Sequence, residues 1–183
     1  MRNAMCLMLG GISLSGCLMP SLADTLDPGP ALDDGELAFS NGQAEFVVDA
    51  TDRKVFVALD LDTLEYLEMD DPSWDLAFRR FEVALQDGLE AVILDGVAFD
   101  EVVEVPEGEW VTDQPDADDD GIPEYAFAEW YDYDFDNHTL APADRTYVVR
   151  TTEDRTFKVG FQNYYDEAGT PARITMRIAE LGP

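Results

Sequence analysis

Histidine, cysteine and basic residues are scarce in this chain. Among 183 residues there are two cysteines, one histidine and 11 lysines and arginines, against 40 aspartates and glutamates. A single histidine argues against a Ser-His-Asp hydrolase and excludes the common zinc sites built from several histidines or cysteines. The net charge of −29 repels nucleic acid, whose recognition needs clustered Lys and Arg, and disfavours direct docking on anionic lipid. These scarcities favour a binding protein over an enzyme.

The apolar run at the N-terminus, residues 5–14, is too short to span a bilayer. It follows Arg2, as in a secretory signal peptide, and it leads into Leu14-Ser15-Gly16-Cys17, which matches a lipobox. We therefore predict a lipoprotein signal peptide over residues 1–16 and a lipid on Cys17. The alternative is an ordinary signal peptide in which the cysteine is accidental. Because Leu18 and not Asp follows Cys17, we expect an outer-membrane lipoprotein that faces the periplasm or the cell surface.

Residues 17–40 contain several prolines and aspartates and show no sustained apolar period. This composition predicts a flexible acidic stalk that carries the lipid. Cleavage would remove Cys6 and lipidation would consume Cys17, so neither a disulfide nor a thiolate metal site is expected. Residues 41–183 are long enough for one domain with its own core.

The domain has the pattern of short strands, with no stretch of helical periodicity. Runs at 44–49 and 54–61 flank Thr51-Asp52 and predict an initial hairpin. Asp-Gly at 95–96 predicts a second hairpin, between strands at 89–94 and 97–105. Alternate apolar residues at 157–161 and 174–178 indicate strands that bury one face only. An antiparallel all-β domain is therefore predicted.

One segment is more specific than a generic strand. Residues 73–83 alternate as a half-buried strand does, with Trp74, Leu76 and Phe78 on one face. Four further motifs follow it: Trp130-Tyr131-Asp132-Tyr133, His138-Thr139-Leu140-Ala141-Pro142, Arg145-Thr146-Tyr147-Val148-Val149-Arg150-Thr151 and Asn163-Tyr164-Tyr165-Asp166. In order and spacing these motifs resemble the HmuY family of bacterial surface lipoproteins, over about residues 43–181. The resemblance implies an all-β, hand-like fold and haem binding for iron acquisition, with an outer-membrane receptor as a further partner.

Haem iron needs axial ligands, and this chain offers histidine, methionine and tyrosine. The candidates are His138, Met69, Tyr131 and Tyr133. His138 lies between the aromatic segment 130–135 and the strand that carries Tyr147, where a flat ligand could be sandwiched. The alternatives are a turn histidine bound to backbone and tyrosines that only pack. The same fold without haem would serve as a surface interaction or adhesion module.

Two charge patterns are also present in the chain. Most of the bases lie in the C-terminal quarter, which allows a local positive region there. Asp116, Asp118 and Asp120 precede Gly121 as at the start of a calcium loop, and Glu124 would be a further ligand. The twelfth position, where an EF-hand has a bidentate glutamate, is Phe127. We therefore expect either a weak calcium site or a solvated acidic loop.

Overall fold

The computed structural model describes residues 42–116 and 119–182, which form eleven strands and one turn of 3-10 helix over Phe99–Glu101. The strands are β1 (Gln43–Asp49), β2 (Val57–Leu59), β3 (Tyr66–Leu67), β4 (Leu76–Arg79), β5 (Glu82–Leu85), β6 (Glu90–Asp95), β7 (Tyr131–Asp134), β8 (Thr139–Pro142), β9 (Arg145–Arg150), β10 (Thr156–Tyr165) and β11 (Pro171–Glu180).

All the strand pairs are antiparallel. The large sheet has the order β1-β11-β10-β9-β6, the small sheet has the order β3-β2-β4-β5, and β7 pairs with β8 as a separate hairpin. The predicted antiparallel all-β fold is therefore confirmed. Within this described part of the chain, no helix is long and apolar enough to cross a membrane.

The two sheets bury their apolar faces in one hydrophobic core. On β11 the alternate residues Ile174, Met176 and Ile178 are fully buried, as their spacing predicts. They belong to the same cluster as Leu76 and Phe78 of β4. Burial of each such side chain stabilises the folded state by about 1.5–3 kcal/mol. This shared core fixes the positions of the loops at the ends of both sheets.

The predicted initial hairpin is wrong. β1 pairs with β11, so that Phe46 lies opposite Met176, and the segment after Thr51 enters the other sheet. Alternation shows which face of a strand is buried, but it does not identify the partner strand. Only Val57–Leu59 of the predicted strand at 54–61 is extended and paired.

The single strand predicted over 73–83 is also wrong, because the chain reverses inside it. β4 ends at Arg79 and β5 begins at Glu82. Between them, Arg80 has a φ of +58°, the left-handed conformation that tight hairpins use. Both faces of β4 are buried, since Ala77 packs in a second cluster with Trp74 and Ala58. The period-2 pattern therefore understated the burial of this strand.

The strand predicted over 97–105 does not form, because β6 pairs with β9 and the 3-10 turn follows. This turn and the residues after it cover the outer face of β10. There Lys158, only 6% exposed, donates to the carbonyls of Phe99 at 2.8 Å and Val102 at 2.7 Å. β10 is thus buried on both faces at this point, not on one.

Candidate ligand-binding site

The chain reversal after β4 displays an aromatic ring that the core does not accommodate. Two hydrogen bonds to its backbone hold the turn: the Arg80 amide donates to the Ala50 carbonyl at 2.9 Å, and Trp130 Nε1 donates to the Phe81 carbonyl at 2.7 Å. The Trp130 side chain is fully buried, yet Phe81 remains 45% exposed. Hydrogen bonds from its own amide and from the buried Trp130 therefore fix the backbone of the turn, and the Phe81 ring makes part of its outer surface apolar.

Most cations of this acidic chain are neutralised by a neighbouring carboxylate. The arginines in ion pairs with described acids are Arg79, Arg145, Arg150, Arg155, Arg173 and Arg177. The ammonium group of Lys158 is bound by backbone carbonyls. The bases of the C-terminal quarter therefore do not supply the positive region that the sequence allowed there.

Three cations at the end of the small sheet where β2 begins and β4 ends differ from the rest. Arg53, Lys54 and Arg80 form no ion pair with any carboxylate of the described residues. Arg53 and Arg80 line a surface cavity of about 550 Å³ together with Arg79, Phe81 and Glu82. Since Arg79 Nε is 2.6 Å from Glu82 Oε2, the uncompensated charge of the cavity comes from Arg53 and Arg80.

Tyr131 extends the aromatic surface of this turn, and Tyr164 lies in the core behind it. The ring centroid of Tyr131, at the start of β7, lies 5.7 Å from that of Phe81 in an edge-on contact. Burial raises the pKa of the Tyr131 phenol, and the charge of Glu82 raises it further. Burial also raises the pKa of Tyr164, while the nearby charges of Arg80 and Arg53 act against it. Both phenols are therefore neutral. Tyr131 is partly exposed and can pack against an apolar ligand, whereas Tyr164 is buried in the core.

Tyr133 and His138 come together at the tip of the β7–β8 hairpin. The Tyr133 hydroxyl lies 2.8 Å from His138 Nδ1, and the ring of Phe135 lies 4.9 Å from that of Tyr133. His138 is exposed and has a φ of +56°, as a turn residue. Its partner is a side chain and not the backbone, and its Nε2 faces no described hydrogen-bonding group.

Met69 lies on another element. It is 42% exposed and occupies the turn after β3, where the Asp71 amide donates to the Glu68 carbonyl at 3.0 Å. The register puts Leu67 level with Ala77 of β4, so Met69 extends toward the same end of the small sheet as Arg80. β2 lies between β3 and β4, however, and no described contact joins Met69 to His138.

The expected sandwich between residues 130–135 and Tyr147 is wrong. Tyr147 and Trp130 are both 0% exposed, and Tyr147 stacks on Phe127 with ring centroids 4.2 Å apart. A ligand cannot enter between these rings without opening the core. Trp130 and Tyr147 therefore serve core packing. The sequence pattern did not distinguish these buried rings from the exposed rings of Phe81, Tyr133 and Phe135.

The acidic loop brings together three of its four candidate ligands. Carboxylate oxygens of Asp116, Asp120 and Glu124 lie within 4.8 Å of one another. The Gly121 amide donates to Asp116 Oδ1 at 3.1 Å, in agreement with a sharp turn at this glycine. Asp118 lies outside the described residues. Calcium binding at this loop stays a prediction.

The predicted signal peptide over residues 1–16, the lipid on Cys17 and the stalk to residue 40 also lie outside the described residues. Arg53 and Phe81 were not predicted as site residues. The available signal was Arg79-Arg80-Phe81 itself, since two bases and an aromatic residue in so acidic a chain are unusual.

Residues 40–177 match the sequence family described as HmuY protein. No curated protein matches the chain. Among solved structures, an HmuY-like protein from Bacteroides vulgatus, to which haem binding is ascribed, is 19% identical with a TM-score of 0.63, over 78% of this chain and 93% of that one. An apo HmuY analogue from Tannerella forsythia is 13% identical with a TM-score of 0.61, over 77% and 96%.

A Bacteroides fragilis protein classed as a lipoprotein is 21% identical with a TM-score of 0.61, over 80% of this chain and 95% of that one. At such identities these structures show a shared fold and no more. The match to the family model, in contrast, spans more than half of the chain. It includes the β4–β5 turn, the β7–β8 hairpin and strands of both sheets. The chain belongs to the HmuY family.

Proposed function

We propose that this protein binds haem at the cavity beside Arg53, Arg80 and Phe81 and serves in iron acquisition as a lipid-anchored, non-enzymatic carrier. The observation that carries the proposal is the charge of the cavity. In a chain of net charge −29, two arginines without an ion pair among the described residues meet at one exposed aromatic ring. Family membership and the haem binding ascribed to the Bacteroides vulgatus protein support it.

The arginines would bind the propionates of haem. Guanidinium groups hold carboxylates through paired, charge-assisted hydrogen bonds, each worth about 1.5–3 kcal/mol. The arginines that pair internally cannot do so without breaking an existing contact, whereas Arg53 and Arg80 can. Glu82, the one carboxylate that lines the cavity, is paired with Arg79, so a dianionic ligand would meet less repulsion there than elsewhere on this protein.

The apolar body of the ligand would rest on Phe81 and Tyr131. Their rings already form a continuous surface, with centroids 5.7 Å apart. Val55, which is 55% exposed, precedes β2 at the same end of the small sheet. A cavity of about 550 Å³ lies within the range of small-molecule sites. Aromatic and aliphatic surface of this kind binds a macrocycle by burial and stacking.

His138 would supply the main iron ligand, with Met69 or a tyrosine as the weaker second one. Ligation through Nε2 requires the tautomer in which Nδ1–H donates to the Tyr133 hydroxyl. Such a partner on the other ring nitrogen is common for metal-binding histidines, since it fixes the tautomer and the ring orientation. Tyr133 therefore acts as a positioning residue for His138 in this proposal.

Haemin titration followed by absorbance tests the proposal. The purified protein should show a saturable change of the Soret band at micromolar haemin. The variant Arg53→Gln/Arg80→Gln should bind at least tenfold more weakly, a loss of about 1.4 kcal/mol or more. Arg150→Gln is the matched control, because it removes the same charge from an arginine that pairs with Glu90. If the wild-type protein gives no saturable change, the haem proposal fails and an interaction or adhesion module of the same fold takes its place.

Anchoring would depend on Cys17. One acyl chain contributes about 0.8 kcal/mol per buried methylene, and two or more chains make release from the membrane negligible. Cys17→Ala should therefore move the protein from the membrane fraction to a soluble or unprocessed form. The anchor would keep the cavity near an outer-membrane receptor. Unchanged membrane fractionation of the variant would refute the lipid anchor but not haem binding.

A further inference from the structure

Three carboxylates meet at the end of the small sheet opposite the cavity. Asp60 and Asp62 lie in the turn between β2 and β3, and Asp75 directly precedes β4. One oxygen from each of the three lies within 4.8 Å of the others. A cluster of this kind is costly, because like charges at short range repel each other and desolvation adds to that cost.

Asp75 is held in place by the backbone on both sides. Its Oδ2 accepts from the Leu61 amide at 2.8 Å and its Oδ1 accepts from the Thr152 amide at 2.8 Å. Thr152 belongs to the turn between β9 and β10 of the large sheet, so this one carboxylate joins the two sheets. The side chain is 0% exposed and cannot turn away from its acidic neighbours.

Asp62 has a buried oxygen without a partner. Its side chain is only 6% exposed. Arg155 Nη1 donates to Oδ1 at 2.8 Å, but Oδ2 is buried and accepts no hydrogen bond. An unsatisfied oxygen of a buried carboxylate is costly, and native structures rarely leave one without a partner.

The surrounding charges do not balance the cluster. Arg155 is shared, since its Nη2 and Nε donate to the carboxylate of Glu180 at 2.6 and 2.9 Å. Asp62 therefore shares its only paired guanidinium with Glu180, and no ion pair among the described residues involves Asp60 or Asp75. Burial, together with the charges of Asp62 and Asp60, raises the pKa of Asp75 to about 6, although the two backbone hydrogen bonds act against the shift. The geometry and the charge balance both favour an additional positive group at this cluster.

We propose that Asp60, Asp62 and Asp75 bind one calcium ion that joins the β2–β3 turn to the start of β4. Calcium binds carboxylate oxygens at 2.3–2.6 Å, so oxygens on opposite sides of one ion lie about 4.8 Å apart and the three groups can share it. The Asp62 oxygen that lacks a partner gains one. Asp60 is partly exposed, which leaves room for water as further ligands of the irregular shell that calcium tolerates.

Asp60→Asn is the most informative variant. Asp60 Oδ1 accepts from the amides of Asp62 at 2.7 Å and Thr63 at 3.1 Å, and an asparagine oxygen can keep both bonds. Asp71→Asn is the matched control: Asp71 Oδ1 accepts from the Ser73 amide at 2.9 Å in a similar exposed turn outside the cluster. Asp120→Asn tests the acidic loop, which is the other candidate for a calcium response.

Thermal unfolding of chelator-treated protein, with and without millimolar calcium chloride at pH 7, tests the proposal. We expect calcium to raise the melting temperature of the wild-type protein and of the Asp71→Asn and Asp120→Asn variants, and to have no effect on Asp60→Asn. A wild-type protein that is indifferent to calcium would overturn the proposal, and so would a response that Asp60→Asn retains or that Asp120→Asn alone abolishes.

Terbium provides a second measurement if Asp60→Asn fails to fold. This ion occupies calcium sites, and Trp74, next to Asp75, can sensitise its luminescence. Wild-type protein should give luminescence that calcium displaces, and Asp62→Asn, which keeps an amide oxygen for Arg155, should not. A wild-type protein that binds no terbium and gains stability only on acidification would show that a proton on Asp75 relieves the cluster instead, and the calcium site would be rejected.

Discussion

The two ends of β4 carry uncompensated charge of opposite sign. At the first end, Asp60, Asp62 and Asp75 cluster with one buried oxygen unsatisfied. At the other end, Arg53 and Arg80 line a cavity without ion pairs among the described residues. The side chains of Asp62 and Asp75 are buried, and Asp75 accepts hydrogen bonds from the backbone beside both sheets, whereas Arg53 and Arg80 reach solvent and form no ion pair with the described residues. We infer that the acidic end holds the fold together and that the basic end binds a ligand.

The comparison also shows where charge is informative. Acids are abundant in this chain, so a chance cluster of them is common and only the burial of Asp62 and Asp75 makes this one significant. Cations are rare, and nearly every other one is paired or buried. An arginine left unpaired in such a chain is therefore a stronger indication of an external anion than any exposed aspartate is of an external cation.

The largest effect should come from removing the buried acid. Asp75→Ala leaves the amides of Leu61 and Thr152 without acceptors, at about 1–3 kcal/mol each. We therefore expect a loss of about 3 kcal/mol in the free energy of unfolding, measured by chemical denaturation. Arg53→Gln, at the exposed end, should change it by less than about 0.5 kcal/mol. If both variants lose a similar amount of unfolding free energy, the two ends of β4 do not differ in their contribution to stability.

The second effect concerns iron ligation. If His138 Nε2 binds iron, His138→Ala should alter the Soret band and weaken haemin binding by more than about 1.4 kcal/mol, tenfold in affinity. Met69→Ala should have a smaller effect. Tyr133→Phe is the test of positioning, since it removes the hydroxyl 2.8 Å from Nδ1 and should change the spectrum more than the stability. If His138→Ala binds haemin as tightly as the wild type does, His138 is not an iron ligand, and the proposal that the protein binds haem is unaffected.

The third and smallest effect is a pH dependence of stability. The pKa of Asp75 is raised to about 6 in the folded protein from an ordinary 3.8, so the folded state binds the proton more tightly than the unfolded state. Without calcium, this group therefore adds stability as the pH falls from 7 to 5, by about 1 kcal/mol. Asp75→Asn cannot titrate, so the difference between the two pH profiles isolates the effect. Parallel profiles would contradict it.

Much of the fold could be predicted from the sequence because alternation is a local property. Ile174, Met176 and Ile178 show the buried face of β11 directly. Strand partners depend on distant contacts, and for this reason the β1–β11 pairing was not predictable from Thr51-Asp52. The reversal at Arg80 was hidden as well, since Arg is not a usual residue for a φ of +58°.

The site was predictable only in part. Tyr131, Tyr133 and His138 do lie on one hairpin, and Tyr131 contacts the cavity turn through Phe81. Arg53 could not be connected to Arg80, because their proximity depends on the loop after β1 packing beside the β4–β5 turn. The cluster of Asp60, Asp62 and Asp75 was equally hidden among forty acids.

One measurement tests the central claim most directly, namely that the unpaired arginines recognise the carboxylates of haem. Haemin and its dimethyl ester, which lacks propionate charge, should be titrated into the wild-type protein and into Arg53→Gln/Arg80→Gln. We predict that the wild type prefers haemin by about 100-fold, as two charge-assisted contacts imply, and that the double variant shows little preference. An equal preference in both proteins, or none in the wild type, would contradict the account.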